Sequence, residues 1–155
     1  FYGVKNLIRI GSCGAMQEDL KLGDIVMAIG ANTDSNYAHQ YQLPGTFSAT
    51  ASYDLLVKAQ QSAEKNGFPY TVGNVLSSDI FYGETPEWKV WAKMGTLAAE
   101  MESFALYCNA ARAGVKALGI FTVSDSMVTG EEMSTEDRQN SFTNMMKVAL
   151  ETACC

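Results

Sequence analysis

Apolar and polar positions alternate between two periods along this chain, and the change of period marks its elements. The run Leu7-Ile8-Arg9-Ile10, stopped by Gly11, predicts a buried strand followed by a glycine loop. A second strand is predicted from Asp24 to Gly30. The stretch from Ala31 to Thr50 is polar and aromatic with little periodicity and is predicted as a long loop, often a functional feature in a compact domain. From Tyr53 to Asn66 the period becomes helical, with Leu55, Leu56, Ala59 and Ala63 on one face and Gly67 as the stop. Strands follow at Tyr70 to Leu76, Leu97 to Ala99 and Lys116 to Val123, and helices at Glu87 to Met94 and Ser103 to Ala113. Ser134-Thr135-Glu136-Asp137 reads as a helix start with acid in its first turn. Behind it Phe142, Met145, Met146, Ala149, Leu150 and Ala153 recur at helical spacing and are predicted to pack in the core. Alternating strands and helices imply an α/β domain with a mostly parallel or mixed sheet. Ligands in such sheets gather at the carboxyl ends of the strands.

Composition narrows this picture. The 155 residues are 47% hydrophobic and 18% charged, which suits one globular domain over 1–155. A net charge of −6 argues against a nucleic-acid surface, since phosphate backbones select basic faces. A small anion remains compatible, because one or two placed arginines suffice to hold it. No apolar run reaches the length of a membrane span and no signal peptide is read at the start. Cys13, Cys108, Cys154 and Cys155 are scattered without zinc-site spacing, so no metal is expected and a cytoplasmic location is. The one histidine, His39, stands far in sequence from Cys13, so a thiol nucleophile is not supported.

Three polar clusters fall at predicted strand ends. In Arg9-Ile10-Gly11-Ser12-Cys13-Gly14, an arginine inside an apolar strand needs an anion, and the glycines let backbone approach one. A phosphate site and an arginine paired with an internal carboxylate fit this motif equally. In Glu100-Met101-Glu102 a carboxylate suits the vicinal hydroxyls of a ribose, while acids capping a helix start are the simpler reading taken alone. Ser124-Asp125 ends a strand beside Thr129-Gly130-Glu131-Glu132, with Arg138 on the following helix. Asp125 there is either a general acid or base or the cap of its loop.

Order and spacing of the three clusters resemble the nucleoside phosphorylase family over nearly the whole chain, and within it the bacterial trimer-of-dimers purine enzymes. Val-Thr-Gly-Glu-Glu at 128–132, Glu-Asp-Arg-Gln at 136–139, Asp34-Ser35 and Ser77-Ser78-Asp79-Ile80-Phe81-Tyr82 extend the resemblance. It implies a three-layer sandwich around a central mixed sheet, a hexamer of dimers, and phosphorolysis of purine ribo- and 2′-deoxyribonucleosides. Inorganic phosphate would be co-substrate, with no organic cofactor or metal. By position, the resemblance assigns Arg9 and Ser12 to phosphate and Met101 and Glu102 to ribose. Phe81 and Ser124 fall to the base, Asp125 to purine N7, and Arg138 to the support of Asp125.

Departures from the family pattern are Ser126, where many relatives carry histidine, and Asn32, where cysteine is common. A Gly-Asp-Pro-x-Arg-type phosphate loop, and the histidine and arginine that reach a neighbouring subunit's site, do not occur here. With a start at Phe1 close to a core strand, this implies a fragment lacking its N-terminal strands, one expected to fold poorly alone because sheet edges are left open. A uridine phosphorylase, a nucleosidase of the same superfamily and an inactive nucleoside-binding subunit are the competing readings. Ser124-Asp125 favours purine over uracil, which has no N7. Arg9 with Ser12 favours phosphate over water.

Overall fold

A strand whose alternate residues both meet apolar neighbours has to lie between two covered faces, and the pattern of the strand Lys116–Ser126 is of that kind. The computed structural model describes residues 3–81 and 83–154, with the side chains of 139–141 outside the description. Its elements are β1 (Asn6–Ala15), β2 (Ile25–Thr33), a 3-10 turn (Tyr37–Tyr41), α1 (Tyr53–Asn66), β3 (Tyr70–Ser77), α2 (Trp88–Lys93), β4 (Ala98–Glu100), α3 (Ser103–Ala113), β5 (Lys116–Ser126) and α4 (Thr135–Cys154).

Along β5, Ala117, Phe121 and Val123 join a cluster containing Val26, Ala28, Phe104 and Tyr107, which α3 covers. Leu118 and Ile120 turn to the opposite cluster with Ile25 and Met27, where Leu55, Leu56 and Ala59 of α1 and Met145, Val148 and Ala149 of α4 close the face. The period-2 alternation of β2 and β5 therefore places helices on both sides.

The sheet is mixed, as the alternation of elements implies. β1 runs parallel to β5, β2 parallel to β3 and antiparallel to β5, and β4 joins β3 in parallel and β1 antiparallel. The strands close in the order β1-β4-β3-β2-β5 into a barrel, where the expectation is a layered sandwich. Two features bend the sheet to closure. Register shifts between Ala28 and Gly30 on β2, and opposite Ser124 on β5, insert an extra residue and raise the local twist. The three-residue β4 then bridges β3 to the end of β1.

Helices α1 and α3 have the predicted bounds, each stopped by a glycine at positive φ, Gly67 at 68° and Gly114 at 65°. Strands are longer than the sequence pattern suggests. β1 continues through the expected glycine loop to Ala15, because its ladder with β5 runs on from Asn6 opposite Lys116 to Cys13 opposite Val123. β2 likewise extends to Thr33 into the expected loop, and the remainder of that loop carries the 3-10 turn. Ser134 Oγ accepts the N–H of Asp137 at 3.0 Å, capping α4 as expected. On α4 the buried face is Met145, Val148, Ala149 and Thr152, while Met146, Leu150 and Ala153 are exposed and correct the predicted stripe. The cause is that α4 packs against α1, β1 and β5 on one side only.

The last pair of the β2–β5 ladder is Ala28 with Gly119, and Tyr107 of α3 closes it. Its hydroxyl donates to the carbonyl of Ala28 and accepts the N–H of Gly119. Tyr107→Phe removes partners from two buried backbone groups and should cost about 1–3 kcal/mol in denaturant unfolding of the protein at its full natural length. A loss below the error of that measurement would mean the two groups satisfy each other without the hydroxyl. The thiols give a second expectation. Burial pushes the Cys13 and Cys108 thiols above their ordinary range, whereas Cys154 is exposed. Alkylation near pH 8 should mark Cys154 and spare the other two until denaturant is added; rapid marking of Cys13 in the folded protein would contradict its placement.

Candidate active site at the strand ends

The carboxyl ends of β1, β3, β4 and β5 carry the polar clusters singled out in the sequence. Arg9 lies in β1, and its guanidinium runs along the strand over Gly11, where a Cβ would come within 3.3 Å of Nη2. The guanidinium carbon is 5.7 Å from the centre of the Phe121 ring. Nη2 donates to Oε2 of Glu102 in a close ion pair, and Nε stands 3.8 Å from Oε2 of Glu100. Nε is buried and has no hydrogen-bond partner among the described residues. Ser12 is exposed three positions further along β1. Both sequence readings of Arg9 thus bear on one place: the arginine meets a carboxylate, and that carboxylate belongs to the expected ribose motif.

The two acids of Glu100-Met101-Glu102 differ sharply. The Glu100 side chain is 1% exposed and that of Glu102 is 54% exposed. Oε2 of Glu100 accepts the N–H of Glu102 at 2.9 Å, and its two oxygens accept the N–H of Ser103 at 3.1 and 3.0 Å. Glu100 therefore satisfies the open donors at the start of α3. Ser77 Oγ also donates to Glu100, and it accepts the N–H of Phe104 at 2.9 Å. This contact follows from the β3–β4 register, which sets Ser77 opposite Glu100. Met101 stands exposed between the two acids.

At the end of β5 the register shift against β1 passes over Ser124, so Gly14 lies opposite Asp125. A bulge of this kind re-aims the residues beside it. Ser124 Oγ donates to Asp125 Oδ1 at 2.7 Å. Asp125 Oδ2 approaches β1 so closely that a Cβ at position 14 would lie 2.7 Å from it. The loop beyond folds back, with the N–H of Ser126 donating to Glu131 O at 2.8 Å and that of Met133 to Ser124 O at 2.8 Å. Asp125 and Glu100 face a common region. After burial, the carboxylates of Asp125 and then Glu100 are what raise the Cys13 thiol.

Arg138 is exposed in the first turn of α4, and among the described residues no ion pair joins it to Asp125. Phe81 is 72% exposed on the loop after β3. That loop is held by Asp34, whose oxygens accept Ser78 Oγ at 2.6 Å and the N–H of Asp79 at 2.9 Å, bringing two of the sequence stretches together. Tyr82 lies outside the described residues, as does the Gln139 side chain. Asn32 and Ser126, the departures from the family pattern, act locally: Asn32 donates to Thr96 Oγ1 at 2.9 Å, and Ser126 Oγ accepts the N–H of Thr129 at 3.2 Å. The sequence presents Glu100 within the Glu-Met-Glu cluster and Ser77 within the resemblance, but gives neither a role of its own at the site. A second acid two positions before Glu102 was visible, but its pairing with Ser77 depends on strand register.

A cleft of about 760 Å³ lies elsewhere, between β2 and the 36–50 segment, and is lined by residues such as Asn32, His39, Phe47 and Trp91. None of Arg9, Ser12, Glu102 or Asp125 lines it. Among the described residues no group of three His, Cys, Asp or Glu has the arrangement to hold a metal ion, and no helix is long and apolar enough to cross a membrane.

The family model for the phosphorylase superfamily matches residues 2–154. The chain is 52% identical over 154 residues to "Purine nucleoside phosphorylase DeoD-type" of Alkaliphilus metalliredigens, covering 98% of this chain and 66% of that protein. To the protein of the same name in Clostridium beijerinckii it is 53% identical over 152 residues, 97% of this chain and 64% of the relative. To that of Caldanaerobacter subterraneus it is 53% identical over 154 residues, 98% and 66% respectively. The chain thus spans just under two thirds of the length of these relatives. On the match along its length and the mixed α/β sheet that carries the matched motifs, this chain belongs to the phosphorylase superfamily.

Proposed function

We propose that the protein to which this chain belongs cleaves purine ribo- and 2′-deoxyribonucleosides with inorganic phosphate, releasing the free base and the sugar 1-phosphate. One observation carries the reading. Arg9 and Glu102, a cation suited to phosphate and a carboxylate suited to ribose hydroxyls, are in direct contact. Phosphorolysis needs that adjacency, because the attacking oxygen must reach the anomeric carbon of a sugar held by the carboxylate. The names of the relatives at about half identity support the same substrates.

In this reading Arg9 and Ser12 bind phosphate. Met101 packs on the ribose, and Glu102 leaves Arg9 to accept the sugar hydroxyls. Phe81 and Ser124 face the base, and Asp125 serves purine N7. Positive charge develops on the sugar and negative charge on the leaving base, so phosphate below the sugar and an acid near N7 stabilise opposite ends of the breaking bond. Arg138 joins Asp125 only after the 127–134 segment and the first turn of α4 move inward. Such closure would bring a cation to the acid and drive its proton onto the base. No covalent intermediate with the protein and no cofactor is required. For the protein at full length we further propose the three-layer sheet arrangement, a homohexamer and a cytoplasmic location.

Assays of base release with and without phosphate test the reaction itself; equal rates in both would indicate hydrolysis by water instead. Arg9→Ala should raise KM for phosphate roughly 10- to 100-fold, the scale of a lost charged hydrogen bond, and change nucleoside KM much less. Unchanged phosphate dependence would leave Arg9 a structural arginine. Asp125→Asn keeps the shape and removes the acid, so turnover of ordinary purine nucleosides should fall roughly 100- to 10,000-fold. A 7-methylated purine nucleoside already carries its positive charge and should lose far less on the same variant. Equal losses on the two substrates would show that Asp125 places the base or the loop and does not protonate it.

A further inference from the structure

We infer that Glu100 is a positioning residue that keeps Arg9 and Glu102 in working geometry while touching neither phosphate nor nucleoside; the inference rests on the phosphorolysis reading above. Arg9 stands between two acids of opposite character. Glu102 is on the surface and, among the described residues, its side chain is paired with the arginine alone, so it can turn away to another hydroxyl or donor. Glu100 cannot. Its carboxylate is held by Ser77 Oγ, by the N–H of Glu102 at 2.9 Å and by the N–H of Ser103 at 3.1 and 3.0 Å. Those contacts come from the end of β3 and from the adjacent Glu102 and Ser103 at the start of α3, so the oxygens are fixed by two segments at once. A carboxylate held by several donors in a buried setting keeps one orientation.

The oxygen that accepts the N–H groups of Glu102 and Ser103 also faces Arg9. Nε stands 3.8 Å from Oε2, longer than a hydrogen bond, and is itself buried with no other partner among the described residues. A shift of under an ångström by the guanidinium would complete that bond. Nothing comparable waits for Nη2 once Glu102 has swung to a ribose. When Glu102 leaves, the charge that remains beside the guanidinium is that of Glu100, with the Phe121 ring 5.7 Å away limiting sideways movement. The same carboxylate accepts the Glu102 N–H and so fixes the backbone from which the ribose-binding side chain departs. One immobile acid thus holds both members of the exchanging pair.

The competing account is that Glu100 only caps α3. The two accounts separate on charge. Glu100→Gln keeps a side-chain oxygen for the N–H groups and removes the charge that Arg9 faces. In the full-length enzyme, steady-state phosphorolysis of a purine nucleoside should show KM for inorganic phosphate raised about tenfold, with kcat at saturating phosphate changed much less. Glu100→Asp, which restores the charge on a shorter stem, should recover part of the loss. A lower melting temperature with unchanged phosphate KM would reduce Glu100 to a cap and overturn the proposal. Should Glu100→Gln fail to fold, Ser77→Ala decides on the same readout, since it loosens the carboxylate and leaves every charge in place. It should raise phosphate KM by a few-fold, and unchanged KM in that variant would equally overturn the proposal. If the wild-type enzyme releases no base with phosphate, the phosphorolysis reading itself fails; wild-type activity with unresponsive variants sinks only the role given to Glu100.

Discussion

Burial of β5 on both faces is the constraint on which the rest of the structure depends. From Ala117 through Ser124 every residue of this strand is buried, between β1 and β2 in the sheet and between α3 and the α1–α4 pair across it. A strand so enclosed has no place for a charge along its length, because an unpaired buried charge costs far more than any contact returns. Chemistry is therefore pushed to its end, where Ser124 and Asp125 emerge beside the end of β1. The interior of the strand also shapes the arginine next door. A Cβ at Gly119 would lie 2.8 Å from the Phe121 ring and 3.0 Å from Ser103 Oγ, so the bare backbone there makes room for that ring and for the start of α3. The same ring lies beneath Arg9.

Much of this was legible in the chain itself. Helices α1 and α3 are local objects: an apolar face at helical spacing and a terminal glycine define each without reference to anything distant. Strand ends are different. Gly11 and Gly14 look like a loop, yet a partner more than a hundred positions away keeps them in the ladder. Closure of the barrel depends on the three-residue β4, which the sequence places within one residue, and on two register shifts that leave no periodic trace. At the candidate site the types Arg9, Glu102, Ser124 and Asp125 could be picked out from chemistry and motif spacing. The hold of Ser77 on Glu100 could not, since it arises from which residues of β3 and β4 fall opposite each other. The distance of Arg138 from any partnership with Asp125 was equally hidden, because it depends on the path of the 127–134 segment.

The carboxylate partners of Arg9 leave room for the proposed phosphate role. A partly exposed pair such as Arg9–Glu102 contributes little to stability, on the order of 0–1 kcal/mol. A contact that weak does not account for an arginine within a core strand, and it is easily given up to a stronger anion. The internal carboxylate and the phosphate can thus be successive partners of the same cation.

Gly14 and Asp125 share a single small volume across the β1–β5 seam, and this constrains the order in which lineages can change. A methyl added at 14 would meet Asp125 Oδ2 at 2.7 Å, so wherever the acid is kept its carboxylate has to turn aside. The reverse order, loss or shortening of the acid first, opens the space and lets position 14 drift. A side chain at position 14 is then compatible with the acid only where Asp125 gives up its present aim across the seam.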